Sequence, residues 1–317
     1  MKAGYFIAAI LLSFLVIACT GQQQNVGTTF IGGTTGLTLE FLPDSPPDQI
    51  YDAGKFPFAV VVQIKNLGEW DVEGTQAILS LSGVDPSDYS KTSADLTKPS
   101  PQKLDATTKD SQGNILSGTT ANIDFSGLNY KNTIPGDIQQ TVLADLCYNY
   151  GTKVASSLCV KKDLTSTDAT ICAITGERSV SNSGAPVQIT SIRESPAGTD
   201  KLQFSMVIKY QGTGKLWEKD YICSQSDKLL QQTKKNRVHV KIDSGLPTPP
   251  QCSGLQDQAG NMVNGAEGYV TLYNGEWTLT CTQELATDRN DFEKPMSIGI
   301  EYRNEDSITK PITVKHI

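Results

Sequence analysis

The sequence predicts an all-β protein built from two tandem β-sandwich domains. Three observations carry that expectation. Apolar and polar residues alternate over many short segments, while helical periodicity is nearly absent. The 299 residues from Cys19 to Ile317 exceed what one ordinary domain needs. One strand motif recurs 144 residues downstream: Val62 to Gly68 followed by Trp70, then Met206 to Gly212 followed by Leu216-Trp217.

In chain order, Phe56, Phe58, Val60, Val62 and Ile64 share one face of an extended segment, and Gln63 and Lys65 share the other. Asn66-Leu67-Gly68 breaks it, the glycine supplying the positive φ of a turn. Ala77, Leu79 and Leu81 resume the alternation. Strands are then expected at 119–125, 139–148 and 154–160, the last two as a hairpin across LCYNYGTKVASSLC. Later strands are expected at 187–193, 202–210, 237–242, 268–273, 277–282, 296–302 and 309–316. Gly, Pro, Asn or Asp punctuate them, as in a sandwich. The only helix candidate is 226–234. In each copy of the repeat the motif should supply the second and third strands of a sandwich. The polar stretch 83–113 is expected to be a mobile excursion. The polar run 163–171 marks a boundary, so the domains are 37–165 and 166–317.

The first 18 residues have the layout of a secretory signal: Lys2, then an apolar run from Tyr5 to Ala18. That run is too short to span roughly 30 Å of hydrocarbon as a helix. Val16-Ile17-Ala18-Cys19 resembles the lipobox of prokaryotic lipoproteins, which implies cleavage before Cys19 and a lipid on its sulfur. Two chains on one cysteine anchor a protein stably. A fainter likeness, through Lys2-Ala3-Gly4, is to a type IV pilin leader. Residues 19–36, rich in Gly, Gln and Thr, are expected to be a flexible tether.

With 27 basic and 34 acidic residues the chain carries a formal charge of −7. Nucleic-acid binding needs clustered Lys and Arg and is excluded as an expectation. Electrostatic docking on anionic lipid is excluded likewise. Removing Cys19 from seven cysteines leaves six, an even set that implies disulfides in an exported chain. Zinc would want C-x-x-C, which does not occur. The sequence alone leaves the connectivity open. The favoured pairing is sequential, Cys147–Cys159, Cys172–Cys223 and Cys252–Cys281, with Cys159–Cys172 as the main rival.

The strand ending Ile64-Lys65-Asn66-Leu67-Gly68, followed by Leu79-Ser80-Leu81-Ser82-Gly83, resembles CARDB-type immunoglobulin-like domains of prokaryotic cell-surface proteins. The likeness covers residues 37–83 and, more weakly, 200–217. Gly268 to Gly275, Lys294 to Tyr302 and the late cysteine pair are similar to uncharacterised exported archaeal proteins. The resemblance implies immunoglobulin-like sandwiches at the cell surface and no particular chemistry.

No catalytic constellation is legible. His239 alternates with Val238 and Val240 and is expected on the solvent face of its strand. His316 is penultimate and expected to be solvated. Ser100-Pro101-Gln102-Lys103 matches S-x-x-K, but its prolines oppose the helix that motif needs. Asp288, Asn290, Asp291 and Glu293 offer oxygens to calcium, yet without EF-hand spacing and with Arg289 among them. Solvated turn residues are the better account of them. Tyr148 and Tyr150 share a sheet face and are either core or a recognition pair; the core is preferred. No cofactor is expected.

The expected function is a non-enzymatic surface lipoprotein. Its sandwiches would bind a protein or glycan, mediate adhesion or join an envelope assembly, and the lipid would tie it to the membrane. The alternatives are an accessory or substrate-binding lipoprotein serving a transporter, a pilin-like filament subunit, and a hydrolase hidden in a sandwich.

Overall fold

A computed structural model describes residues 30–223 and 227–317. Among them the chain is all-β with one short α-helix and two 3-10 turns. The first strands are β1 (Leu37–Phe41), β2 (Gln49–Tyr51), β3 (Phe58–Asn66), β4 (Ala77–Ser82) and β5 (Thr97–Pro99). Next come β6 (Thr108–Lys109), β7 (Ile115–Leu116), β8 (Thr120–Leu128) and β9 (Ile138–Val160). Beyond them lie β10 (Gly176–Glu177), β11 (Ser181–Asn182), β12 (Val187–Pro196), β13 (Lys201–Tyr210) and β14 (Lys215–Trp217). The helix α1 (Lys228–Lys234) precedes β15 (Arg237–Asp243), β16 (Gln251–Gln256) and β17 (Met262–Gly265). The last are β18 (Glu267–Thr271), β19 (Glu276–Glu284) and β20 (Phe292–Lys315).

The molecule is organised by one long ribbon. β9 and β20 pair antiparallel from Val160–Phe292 to Ile138–Val314 without a register shift. At about 3.3 Å per residue, 23 residues of strand extend roughly 75 Å. Even-numbered residues of both strands face inward along most of this length: Val142, Ala144, Leu146, Tyr148, Tyr150 and Val154 on β9, and Met296, Ile298, Ile300, Tyr302, Ile312 and Val314 on β20.

Two sandwich-like halves pack on that face. In the first, the sheet β1-β3-β8 lays Val60, Val62, Ile64, Ile123 and Phe125 over β4 and one end of the ribbon. In the second, β12-β13-β19-β16 lays Ile189, Phe204, Met206, Ile208 and Leu279 over β15, β18 and the other end. The two strands of the repeat hold equivalent places. β3 is central between β1 and β8, and β13 between β12 and β19. Both tryptophans reach the ribbon: Trp70 lies on Gly151, and Trp217 pairs with Arg303.

The expected hairpin at 139–160 is a single strand, and so are the expected pair at 296–302 and 309–316. Gly151 makes no turn. It leaves room for the Trp70 ring, which a Cβ there would approach to 2.7 Å. A boundary at 165 places β9 on one side and β20 on the other, while the two are hydrogen-bonded from end to end.

The disulfides follow from the ribbon. Cys147 and Cys159 lie on one extended strand, about 40 Å apart at its rise per residue, so the expected Cys147–Cys159 bond does not form. Cys147 bonds Cys223 and Cys159 bonds Cys172, which also replaces the expected Cys172–Cys223. Cys252–Cys281 is present, joining directly paired residues of β16 and β19.

The stretch 83–113 is structured rather than mobile. Tyr89, Leu96 and Leu104 are buried in the main core, β5 pairs with β4, and Val72 and Leu104 exchange backbone hydrogen bonds. Lys98 and Gln102 donate to the carbonyls of Asp124 and Thr120 on β8. These few apolar side chains suffice to dock an otherwise polar segment.

Candidate functional site

The two halves meet at the middle of the ribbon, and the core there changes character. The inward positions Tyr148, Tyr150, Tyr302, Asn304 and Asp306 replace aliphatic residues. Every polar atom in this group needs a partner once buried. Tyr150 Oη donates to Asn66 Oδ1 (3.0 Å), at the end of β3. Tyr148 Oη donates to Asp306 Oδ2 (2.9 Å), and Asn304 Nδ2 donates to the same carboxylate (2.6 Å). Tyr210 Oη, at the end of β13, donates to Asn304 Oδ1 (2.8 Å). Val187 N–H donates to Tyr302 Oη (3.3 Å). Residues from β3 and β13 thus lock both halves to the ribbon. Burial pushes the Tyr148 hydroxyl well up. It also pushes the Asp306 carboxyl up, against the hydrogen bonds from Tyr148 and Asn304 that favour its charged form.

Above this network lies a cleft of about 620 Å³. Its walls are residues 34–39, the loop 211–215 and residues 304–308 of β20, with Tyr148 at its floor. Two strand edges open onto it. On β1, Gly36 and Leu42 bond to β3, so Leu37 and Leu39 turn their backbone groups away from that strand. On β20, Thr313 N–H and Lys315 C=O bond outward, to Asp48 and Asp52, so Ser307 and Thr309 present theirs on the same open side. That side of β20 is filled by β14 at Arg303–Glu305 and by β2 at Thr313–Lys315, and the gap lies between them. Unpaired edge groups of this kind accept an added strand.

A second, smaller cleft of about 250 Å³ lies on the opposite face of the ribbon, lined by Trp70, Gln76, Asn149, Lys219, Asp220 and Glu301 among others. Cys147 and Arg303 occupy this outer face. The Cys147–Cys223 disulfide and the Arg303 bonds to Tyr221 C=O and Cys223 Sγ fasten the segment carrying Lys219 and Asp220 there.

The residues singled out in the sequence fall as follows. Cys19 lies outside the described residues. The tether is held from residue 31 on: Ile31 and Gly32 N–H donate to the Glu69 carboxylate, and Ala185 N–H donates to Gly33 C=O. Tyr148 and Tyr150 are buried, their rings edge to face at 5.7 Å, so they form core and not a recognition surface. The calcium candidates diverge. Asp288 and Asn290 line one cavity and Asp291 another, Asp291 accepts from Lys162 N–H, and Glu293 accepts from Ser157 Oγ. The Arg289 guanidinium is buried between them, donating to backbone carbonyls of Lys161, Lys162, Thr199 and Ala286. Among the described residues no group of three or more His, Cys, Asp or Glu is placed to hold a metal. His239 does face outward, but it is covered by Lys219, Glu267 and Tyr269, and burial lowers its proton affinity. His316 is half-exposed and its Nδ1 pairs with the buried Asp52 carboxylate at 2.8 Å.

Asn66, Asn304 and Asp306 were not singled out in the sequence. A signal for two of them was present: they continue the inward alternation of Ile298, Ile300 and Tyr302 with polar side chains.

No family model matches the chain, and no curated protein matches it. Among solved structures, the partial N-terminal region of an enterococcal surface protein aligns at 9% identity, over 93% of this chain and 97% of that chain. Its TM-score is 0.17, too low to support any argument.

Proposed function

We propose that this is an exported, non-enzymatic surface protein, lipid-anchored at Cys19, that uses its two halves as one rigid body to bind an extended segment of an envelope partner. The observation that supports this most is the junction cleft with an open strand edge on either side. Three disulfides, bonds that persist in oxidising compartments, support export. The unbroken ribbon gives the halves no hinge between them. Ten residues separate Cys19 from Phe30, a span of at most about 35 Å. The chain enters the fold at Ile31 and Gly32, near the middle of the ribbon, so the anchor would hold the molecule by its waist.

The test is a photo-crosslinker at Ser307, beside the cleft, on the intact cell surface. A discrete adduct with an envelope component, absent when the same group sits at the remote exposed Ala197, is the expected result. Equal adducts at both positions, or none at Ser307, would overturn the reading. Intact mass of the membrane-extracted chain beside Cys19→Ser tests the anchor separately.

A further inference from the structure

The outer cleft at the waist has a different chemistry from the inner one. Of the three aromatic residues that line it, Tyr150 and Tyr302 are buried and Trp70 is half-buried, seated on Gly151 because that glycine has no Cβ, with Lys153 Nζ 5.6 Å from its ring centre. Around it stand side chains left with polar capacity to spare. Glu301 Oε2 accepts from Lys219 at 3.0 Å, while its Oε1 has no partner among the described residues. Asp220 Oδ2 accepts from Tyr269 Oη at 3.2 Å and Gln258 Nε2 at 3.4 Å, leaving Oδ1. Asn149 Oδ1 accepts from Arg303 Nε at 2.6 Å, leaving its NH₂. The exposed Gln76 amide has both its groups free among the described residues.

We infer that this cleft binds one sugar ring of a neutral glycan. A sugar ring offers an apolar C–H face to an indole and a rim of hydroxyls, each both donor and acceptor. The cleft offers the matching set: an indole, two half-used carboxylate oxygens that accept, and two amides that donate. Two lysines, Lys219 and the Lys153 beside the indole, balance the two carboxylates, and a site with no net charge suits a neutral ligand over a phosphate or an acidic peptide. A volume below the 300–1,000 Å³ range of drug-sized sites suits a single ring. The wall carrying Lys219 and Asp220 is fastened by Cys147–Cys223, so the groups are held in place before any ligand arrives.

The inference rests on the surface-binding reading and is tested apart from it. The probes are neutral oligosaccharides of hexose and N-acetylhexosamine, titrated into the full mature chain in detergent and followed by saturation-transfer NMR and calorimetry. At least one should bind with a dissociation constant of about 1 mM or tighter. Trp70→Ala and Glu301→Gln should each weaken it about tenfold or more, while Trp277→Phe, on the second half, should not. Because Trp70 also packs on the ribbon, Gln76→Ala serves as the variant with no packing role, and it too should weaken binding at an unchanged melting temperature. No binding by any probe at about 10 mM, or binding untouched by all three cleft variants, would overturn the inference. A Ser307 adduct that persists alongside such a failure would leave the surface-binding reading standing.

Discussion

The two halves rest on the same ribbon, yet their longest loops are secured by different means. In the first half the stretch 83–113 inserts Tyr89, Leu96 and Leu104 into the main core and uses no disulfide of its own. In the second half the loop after β9 builds a separate, smaller cluster from Val160, Leu164, Ile174, Leu202 and Leu285. There Cys159–Cys172 staples it. The physical lesson is one of buried area. A loop that joins the main core gains enough apolar burial to stay down. A loop that reaches only a satellite cluster gains less, and a covalent bond offsets the difference by restricting the unfolded chain.

That contrast makes the largest expected effect a core truncation in the first half. Leu104→Ala should destabilise by about 2–5 kcal/mol in urea unfolding and expose 83–113 to protease. An unchanged midpoint would mean the insertion is only laid on the surface. Next comes the double change Cys159→Ser with Cys172→Ser, expected to lower stability by about 2–4 kcal/mol and to loosen residues 161–175 before the rest. Uniform loosening of the whole chain in hydrogen exchange would argue against a satellite cluster.

A third test is pH. Glu194 is buried beside Cys159, whose N–H it accepts, and pairs with Arg178 Nε at 2.6 Å. Burial pushes its carboxyl up to about 7 from an ordinary 4.5, outweighing the Cys159 and Arg178 contacts that favour the charged form. A folded value above the unfolded one means the folded state holds the proton more tightly. Its stabilising effect is therefore complete below about pH 4.5 and is lost as pH rises through about 7. The wild type should lose about 1–3 kcal/mol over that window relative to Glu194→Gln. Parallel profiles for the two would place the pH dependence elsewhere. The smallest effect belongs to the joint: Asp306→Asn keeps the shape and an acceptor for Tyr148, and should shift stability by under about 1 kcal/mol. A larger loss would show that the charge itself holds the halves together.

Much of the fold was legible because alternation reports directly on a half-buried strand. The centres of β3, β8, β12, β13, β15 and β19 fall where the pattern puts them. The ribbon was not legible, and the reason lies in three kinds of residue. Gly151 looks like a turn and is a seat for Trp70. Asn304-Glu305-Asp306-Ser307 looks like a turn and is strand, its inward members bonded to Tyr148 and Tyr210. Tyr148 and Tyr150 were correctly placed on one face, but what that face met required both halves. At the candidate sites, Trp70 was visible as part of a repeat. Its neighbours Asn149, Glu301 and Asp220 come from three separate segments and share no local pattern.

The sequence by itself determined the class of fold and the faces of its strands, since both depend on the order of neighbouring residues. Only the tertiary structure decided which cysteines bond, where the halves join and which polar groups line a cleft. Those outcomes depend on distances between residues up to 265 positions apart, such as Asp52 and Ile317. They are set by the register of one long strand pair, and a one-residue change in that register would turn every side chain on it to the other face.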